Sequence, residues 1–302
     1  MSSGNKITLH TSFWPNSENY PSLTDKFDRL YSLNQILVNA NNYQYEADIF
    51  IHENQAFDSV KPWLIEYSNG QLNFIKHDIS KLSSPLHMPF LSRKLLYEQK
   101  DSYDIFMYIE SDIGFTQSNL NYWLKYKDEC VQNNCNLAFA RTEVDDFPFC
   151  DLYWVEGNRS KLKDPRWKDT YLSNRQIGDK DYLQIYSYWA GWIYDKKEFN
   201  KWTKEDLFHL QNKTDQKIEI KHPNYRNGPR KISIEDAAWG YHCPIFDKYK
   251  TSAGVIPIID KKIPEGCLVN HMTSSFLASK RFSVYKIKDV FPPLQRCHEL
   301  NC

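Results

Sequence analysis

The first half of the chain sets short apolar runs against longer amphipathic stretches. Lys6–Phe13 predicts a first strand that runs into a loop at Trp14–Ser17. Tyr20–Asn39 carries Leu23, Phe27, Leu30, Tyr31, Leu33 and Leu37 at helical spacing. Glu46–His52 predicts a second strand, Gln71–Lys76 a short third, and Phe90–Lys100 a helix bearing Arg93 and Lys94. A fourth strand, Asp104–Ile109, runs directly into Glu110-Ser111-Asp112. Ser118–Asn133 predicts a helix with Ser118 at its N-cap, and Asn136–Arg141 a further strand.

Beyond that point the pattern changes. Val144–Tyr182 has no sustained period, which marks a functional loop or an inserted hairpin. Tyr186–Tyr194 is an aromatic strand broken at Ala190-Gly191, and Glu198–Leu210 is helical. Ser233–His242 reads as a helix start with Glu235 and Asp236 in its first turn, where the helix dipole favours acids. Val255–Ile259 is a strand whose Pro257 points to an edge, and Cys267–His271 is an apolar stub ending in His. Strands alternating with helices predict an α/β fold with a mostly parallel central sheet flanked by helices. Ligands of such sheets bind beyond the carboxyl ends of the strands. No repeat or clean linker interrupts the chain, so one domain is expected.

Composition narrows the function classes. Lys+Arg and Asp+Glu both number 38 in 302 residues, so bulk charge does not point to nucleic acid. Aromatic residues make up 15%, which suits a stacking surface for sugars or bases as well as an aromatic core. The seven cysteines form no CxxC pair and no zinc spacing, and reduced thiols are expected. The sequons at Asn158 and Asn212 matter only in a secreted chain. No signal peptide and no apolar run long enough to span a membrane is seen, so a cytoplasmic protein is expected. A secretory lumen would fit if an anchor lay outside this chain.

The chemistry starts at Glu110-x-Asp112. Side chains alternate along a strand, so both carboxylates project the same way as the strand leaves the core. Like charges so placed raise each other's pKa, and a bound cation removes that cost. Hard cations such as Mg2+ or Mn2+ take oxygen ligands and also hold substrate phosphates. A plain strand-ending turn in solvated acids is the competing reading.

The ordered set Glu110-Ser111-Asp112, Ala190-Gly191, Glu235-Asp236 and His271 resembles the GT-A class of nucleotide-sugar-dependent glycosyltransferases. The resemblance covers roughly residues 6 to 275. It implies one GT-A-type, Rossmann-like domain over residues 1–302. Residues 6–142 would form the nucleotide-sugar-binding half, and 143–302 the acceptor-binding half with a C-terminal extension. Glu110, Asp112 and His271 would hold a divalent cation, with Mn2+ favoured over Mg2+ because one ligand is a histidine. Asp112 is the firmer ligand, because the class more often carries Asp at the first position, where this chain has Glu110.

The same resemblance makes Asp236, with Glu235 as the second choice, the base on an acceptor hydroxyl in an inverting displacement. Thr11, Phe13 and His52 would lie at the base and ribose. Lys280, with Arg281, could neutralise the diphosphate, Arg93 and Ser111 are further candidates to bind the donor, and Gly191 would admit a sugar close to the backbone. Trp189, Trp192 and Trp239 are candidates to stack on sugar faces or to fill the core. The donor expected is a nucleoside-diphosphate sugar, UDP-linked before GDP-linked, and the acceptor a glycan or glycoconjugate. A retaining GT-A enzyme, a non-catalytic GT-A scaffold binding sugar or nucleotide, and a metal-dependent phosphohydrolase are the rival readings.

Overall fold

A computed structural model of the protein describes residues 5–13, 23–78, 80, 85–133, 135–144, 152–156, 172–186, 189–205, 208–209, 217–220, 228–231, 238, 240–242, 253–272, 283–286 and 291–295. In chain order the strands are β1 (Ile7–Phe13), β2 (Ala47–Glu53), β3 (Leu72–Lys76), β4 (Ile105–Glu110), β5 (Ile113–Gly114) and β6 (Asn136–Leu137). They continue as β7 (Ala140–Val144), β8 (Leu152–Glu156), β9 (Leu172–Ile177), β10 (Lys180–Tyr186), β11 (Gly191–Asp195) and β12 (Lys217–Ile220). The last are β13 (Gly228–Lys231), β14 (Ala253–Pro257), β15 (Ile263–Pro264), β16 (Leu268–His271), β17 (Ser283–Lys286) and β18 (Leu294–Gln295). The helices are α1 (Leu23–Asn41), α2 (Ser92–Glu98), α3 (Gln117–Gln132) and α4 (Lys196–Trp202). The chain divides into two compact units, one of residues 1–113 with 190–248, the other of residues 114–189 with 249–302.

The first unit is built on a five-stranded sheet of order β11-β4-β1-β2-β3. β4, β1, β2 and β3 run parallel, and β11 joins β4 antiparallel. The expected α/β class with a mostly parallel sheet is what this unit has. The register follows from the apolar runs: Leu9 lies between Ile49 and Met107, and Thr11 between Ile51 and Ile109. β1, β2 and β4 are buried on both faces, as strands of a covered parallel sheet are. α1 buries Leu30, Leu33, Ile36, Leu37 and Ala40 at helical spacing. An aromatic layer continues the core, with Phe106 stacked on Phe199 at 4.1 Å and Trp202 edge-on to Phe208 at 4.9 Å.

In the second unit, one sheet has the order β6-β14-β10-β9 and another β17-β8-β7-β16-β5. β8 and β9 fall in the stretch with no sustained period, where a functional loop or an inserted hairpin was expected, and β9 pairs antiparallel with β10, which begins at the end of that stretch. β14 has a neighbour on each side rather than being an edge strand. However, β6 pairs only with Gly254 and Val255, so Pro257 faces β10 alone, where its missing N–H breaks no ladder. α3 starts one residue earlier than expected. Its cap is Thr116 rather than Ser118, and Asn119 closes a reciprocal capping box. Among the described residues no helix is long and apolar enough to cross a membrane.

Candidate functional site

The centre of the first unit's rim is the end of β4. Ile105 to Ile109 are at most 2% exposed, Glu110 is half-buried and Ser111 is buried. β4 ends at Glu110, and Ser111 and Asp112 form the turn that follows, so only Tyr108 and Glu110 share the strand's alternation and the expected continuation to Asp112 is not there. The Tyr108 phenol is buried on the same strand. Burial pushes its pKa well above the ordinary value, the Glu110 carboxylate pushes it further, and Ser12 opposes the rise. Asp112 then adds to the rise and the Arg93 guanidinium counters it. Two carboxylates and one guanidinium therefore act electrostatically on one buried phenol.

Arg93 comes from α2 and is itself buried. Its guanidinium lies over the rings of Phe90 at 4.6 Å and Trp202 at 4.9 Å. Nη1 donates to the Phe208 carbonyl at 3.3 Å. The Glu110 N–H donates to the carbonyl of Ala190 at 2.9 Å. Ala190 has φ 60, the left-handed region, and it is fully buried. Gly191, where conformational freedom was expected, is an ordinary strand residue opposite Ile109. A left-handed alanine costs roughly 1–2 kcal/mol, which the surrounding packing must hold in place.

The ends of β1 and β2 form the rest of this rim. Thr11 and Phe13 are fully buried, and Phe13 meets Phe57 edge-on at 5.3 Å. His52 is fully buried with both ring nitrogens engaged, Nε2 with His10 and Nδ1 with His77, each at 2.8 Å. Glu53, which ends β2, was not singled out from the sequence. It is 4% exposed, and burial above all raises its carboxyl pKa, with Asp58 adding and Lys76 and Lys61 opposing. Its Oε2, Thr11 Oγ1 and Asn54 Oδ1 are buried with no hydrogen-bond partner among the described residues. A buried acceptor without a donor costs about 1–3 kcal/mol, so three of them mark where a ligand's N–H or O–H groups would be favoured.

In the second unit, β16 and β7 run parallel with Asn270 opposite Thr142. That register sets His271 beside Glu143, with Nδ1 to Oε1 at 2.6 Å and both side chains buried. A carboxylate accepting from Nδ1 fixes the tautomer and leaves the ring's lone pair on Nε2, as in histidines that ligate metals. Glu143 has no signal in the sequence, because its partner is 128 residues away. Trp189 packs on Phe115 and Phe139 in this unit. Trp192 packs among Tyr194, Phe199 and Trp202 in the first, so both are core residues.

Glu235, Asp236, Trp239, Lys280 and Arg281 lie outside the described residues. Among the described residues no group of three or more His, Cys, Asp or Glu is arranged to hold a metal ion. The first unit's β4 end offers the carboxylates of Glu110 and Asp112. Hard cations accept such a pair, because Mg2+-like ions take one or two carboxylates and complete their shell with waters and substrate phosphates.

No family model matches the chain, and no curated protein matches it. Among solved structures, it is similar to a protein described as a nucleotide-diphospho-sugar transferase from Desulfovibrio desulfuricans G20. That match has 11% identity and a TM-score of 0.29, over 46% of this chain and 58% of the other. It is also similar to apo mouse xyloside xylosyltransferase 1, at 13% identity and a TM-score of 0.30, over 45% of this chain and 52% of the other. The matched part is thus little more than half the length of either protein.

Proposed function

We propose that the protein is a GT-A-type glycosyltransferase that moves a sugar from a nucleoside-diphosphate sugar to an acceptor hydroxyl. The observation that carries this reading is the rim of the first unit's sheet, not the distant structural likenesses. Two carboxylates, Glu110 at the end of a buried parallel strand and Asp112 in the turn just after it, lie two residues apart. Along the same rim, Thr11, Glu53 and Asn54 offer buried acceptors that lack donors. The second group suits the hydroxyls and imide or amine N–H groups of a nucleoside, and UDP-sugars are the first candidates, then GDP-sugars.

Glu110 and Asp112 would hold a divalent cation, which would supply charge stabilisation to a diphosphate leaving group. Ser111, buried between them, keeps the pair at the strand end. In the inverting reading, Asp236 takes the proton of the acceptor hydroxyl. That oxygen bonds to the anomeric carbon while the bond to the diphosphate oxygen breaks, and the nucleoside diphosphate leaves. Glu235 is the alternative base.

A thermal-shift screen of nucleoside diphosphates with and without Mn2+ tests the donor site, because only a ligand of the native state raises the midpoint. The expected result is a rise with one diphosphate that needs Mn2+ and is lost in Asp112→Asn. A folded protein whose midpoint responds to no nucleoside diphosphate in either condition sinks the reading. A rise without any release of nucleoside diphosphate from the matching sugar donor identifies a binding scaffold instead.

A further inference from the structure

Three imidazoles lie in a line across the first unit's sheet, from β1 through β2 to the residue after β3. His10 Nδ1 meets His52 Nε2 at 2.8 Å, and His52 Nδ1 meets His77 Nε2 at 2.8 Å. Successive rings lie edge to edge with centroids 5.1 Å apart and planes within 25° of each other, and Phe50 stacks on His10 at 4.8 Å. At the inner end, His10 Nε2 is 2.9 Å from Gln99 Oε1 and 3.0 Å from Thr8 Oγ1. The Thr8 hydroxyl donates to the same Gln99 oxygen at 3.0 Å.

Gln99 Oε1 can only accept, so His10 must donate from Nε2. In a neutral ring the other nitrogen then accepts, so His10 Nδ1 takes the N–H of His52 Nε2. By the same rule His52 Nδ1 takes the N–H of His77 Nε2. One carbonyl thus sets the tautomer of three rings. The same counting limits what the row can absorb. Each link between rings holds one proton, and each end nitrogen can hold one more. Three neutral rings fill every place except His77 Nδ1. One further proton fits there with all links kept, whereas a second must set two N–H groups against each other.

We propose that this row is an acid-sensitive latch on the β2–β3 edge: it takes one proton at the His77 end with every link intact, and it parts when a second is forced in. β3 is the outer strand of the sheet, bonded on one side to β2. The His77 N–H also donates to the Glu53 carbonyl at 2.8 Å, so parting the row loosens the end of β2. Burial favours neutral rings: it lowers the His10 pKa to about 3, takes that of His52 well below its ordinary value with help from the other two rings, and lowers that of His77.

The charged groups of the surrounding elements do not offset this. They are Asp48 and Glu53 on β2, Lys76 on β3, Asp78 beyond it, Asp58 and Lys61 in the turns after β2, Glu110 on β4, and Arg93, Lys94 and Glu98 on α2, with the Tyr108 phenol opposite His10. Lys76 pairs with Asp58 at 2.9 Å, and Asp78 accepts from the Ser80 N–H at 3.2 Å. The shifts of the three rings arise from burial, from one another and from Gln99, with no carboxylate among the causes.

The test is imidazole 15N NMR with amide exchange on the full chain between pH 8 and 4.5. At pH 8 all three rings should carry their proton on Nε2. On acidification His77 should take up a proton first, while the amides of β3 keep their protection. Further acid should then cost β3 at least about tenfold more protection than β4, because each buried ring that must charge adds up to tenfold per pH unit below 6.5. Any of the three rings found with its proton on Nδ1 at pH 8 overturns the proposal. So does titration of His10 or His52 near 6.5 with the fold intact. His77→Gln keeps a donor toward His52 but removes the entry site, so its β3 edge should open at a higher pH than in the parent. An unchanged opening pH in that variant, folded at pH 8, also overturns the latch.

Discussion

Gly266→Ala is the sharpest packing test in the second unit. Gly266 lies in the 3-10 turn Glu265–Cys267, and an added Cβ would sit 2.4 Å from the Ser118 carbonyl oxygen and 2.7 Å from Tyr122 Cβ. The first is backbone, so no side-chain rotation relieves it, and turn and helix must part by nearly 1 Å. The Asn119 amide spans this joint, donating to the Gly266 carbonyl at 2.7 Å and the Leu268 carbonyl at 2.6 Å. Losing both costs about 1 kcal/mol each. Overpacking adds about 1–3 kcal/mol. The expected destabilisation is therefore about 3–5 kcal/mol, read as a fall in the urea midpoint at constant slope. Gly114→Ala is the control, because its Cβ would meet nothing nearer than 3.5 Å. If Gly266→Ala costs no more than Gly114→Ala, the joint is not packed as described.

Three further outcomes follow from the first unit. The folded His10 pKa lies below the unfolded value, so the unfolded chain binds more protons. Stability is then complete above about pH 6.5 and falls as pH drops, by about 2 kcal/mol at pH 5 from His10 alone. A urea midpoint that stays level or rises from pH 7.5 to 5 contradicts this. Gly240→Ala puts a Cβ 2.6 Å from Tyr194 Oη and 2.8 Å from Trp192 Cγ at φ +72, and should cost about 2–4 kcal/mol in the same assay. A cost below that of an ordinary surface substitution would mean that Gly240 is not wedged against β11. Asp48→Ala removes the acceptor of the Tyr103 hydroxyl at 2.7 Å, the Gln71 N–H at 2.8 Å and the Lys6 ammonium at 2.9 Å. It should cost about 2–4 kcal/mol, and a neutral result in thermal melts would show that these donors find water instead.

The parallel sheet was legible because β4 is an unbroken apolar run and β1 and β2 are short, largely apolar strands alternating with helical stretches. The carboxylate pair was legible for the same reason, since it stands where such a run stops. β9 was not. Leu172-Ser173-Asn174-Arg175-Gln176-Ile177 lies at the edge of its sheet, with little apolar surface to bury and so no alternation to read. His10, His52 and His77 each looked like a single histidine in or beside a strand. Their partnership depends on strand order and register, which local pattern does not encode. The same holds for Glu143 with His271. Ala190 was passed over in favour of Gly191 because glycine is the usual left-handed residue. Glu53 lies one residue beyond the strand expected from Glu46 to His52, so its burial had no signal there.

β11 returns to β4 only after residues 114–189 have been made. Until then β4, a buried strand of its sheet, has β1 on one side and an open row of backbone groups on the other. Bringing β11 back across an unfolded loop of that length costs about 4 kcal/mol of chain entropy, and less once the intervening residues have folded. The order of synthesis thus leaves an apolar edge exposed at an intermediate stage, which is the kind of surface that captures a second chain. Shortening the inserted segment would speed closure of that edge, and truncation before residue 191 would leave it open for good.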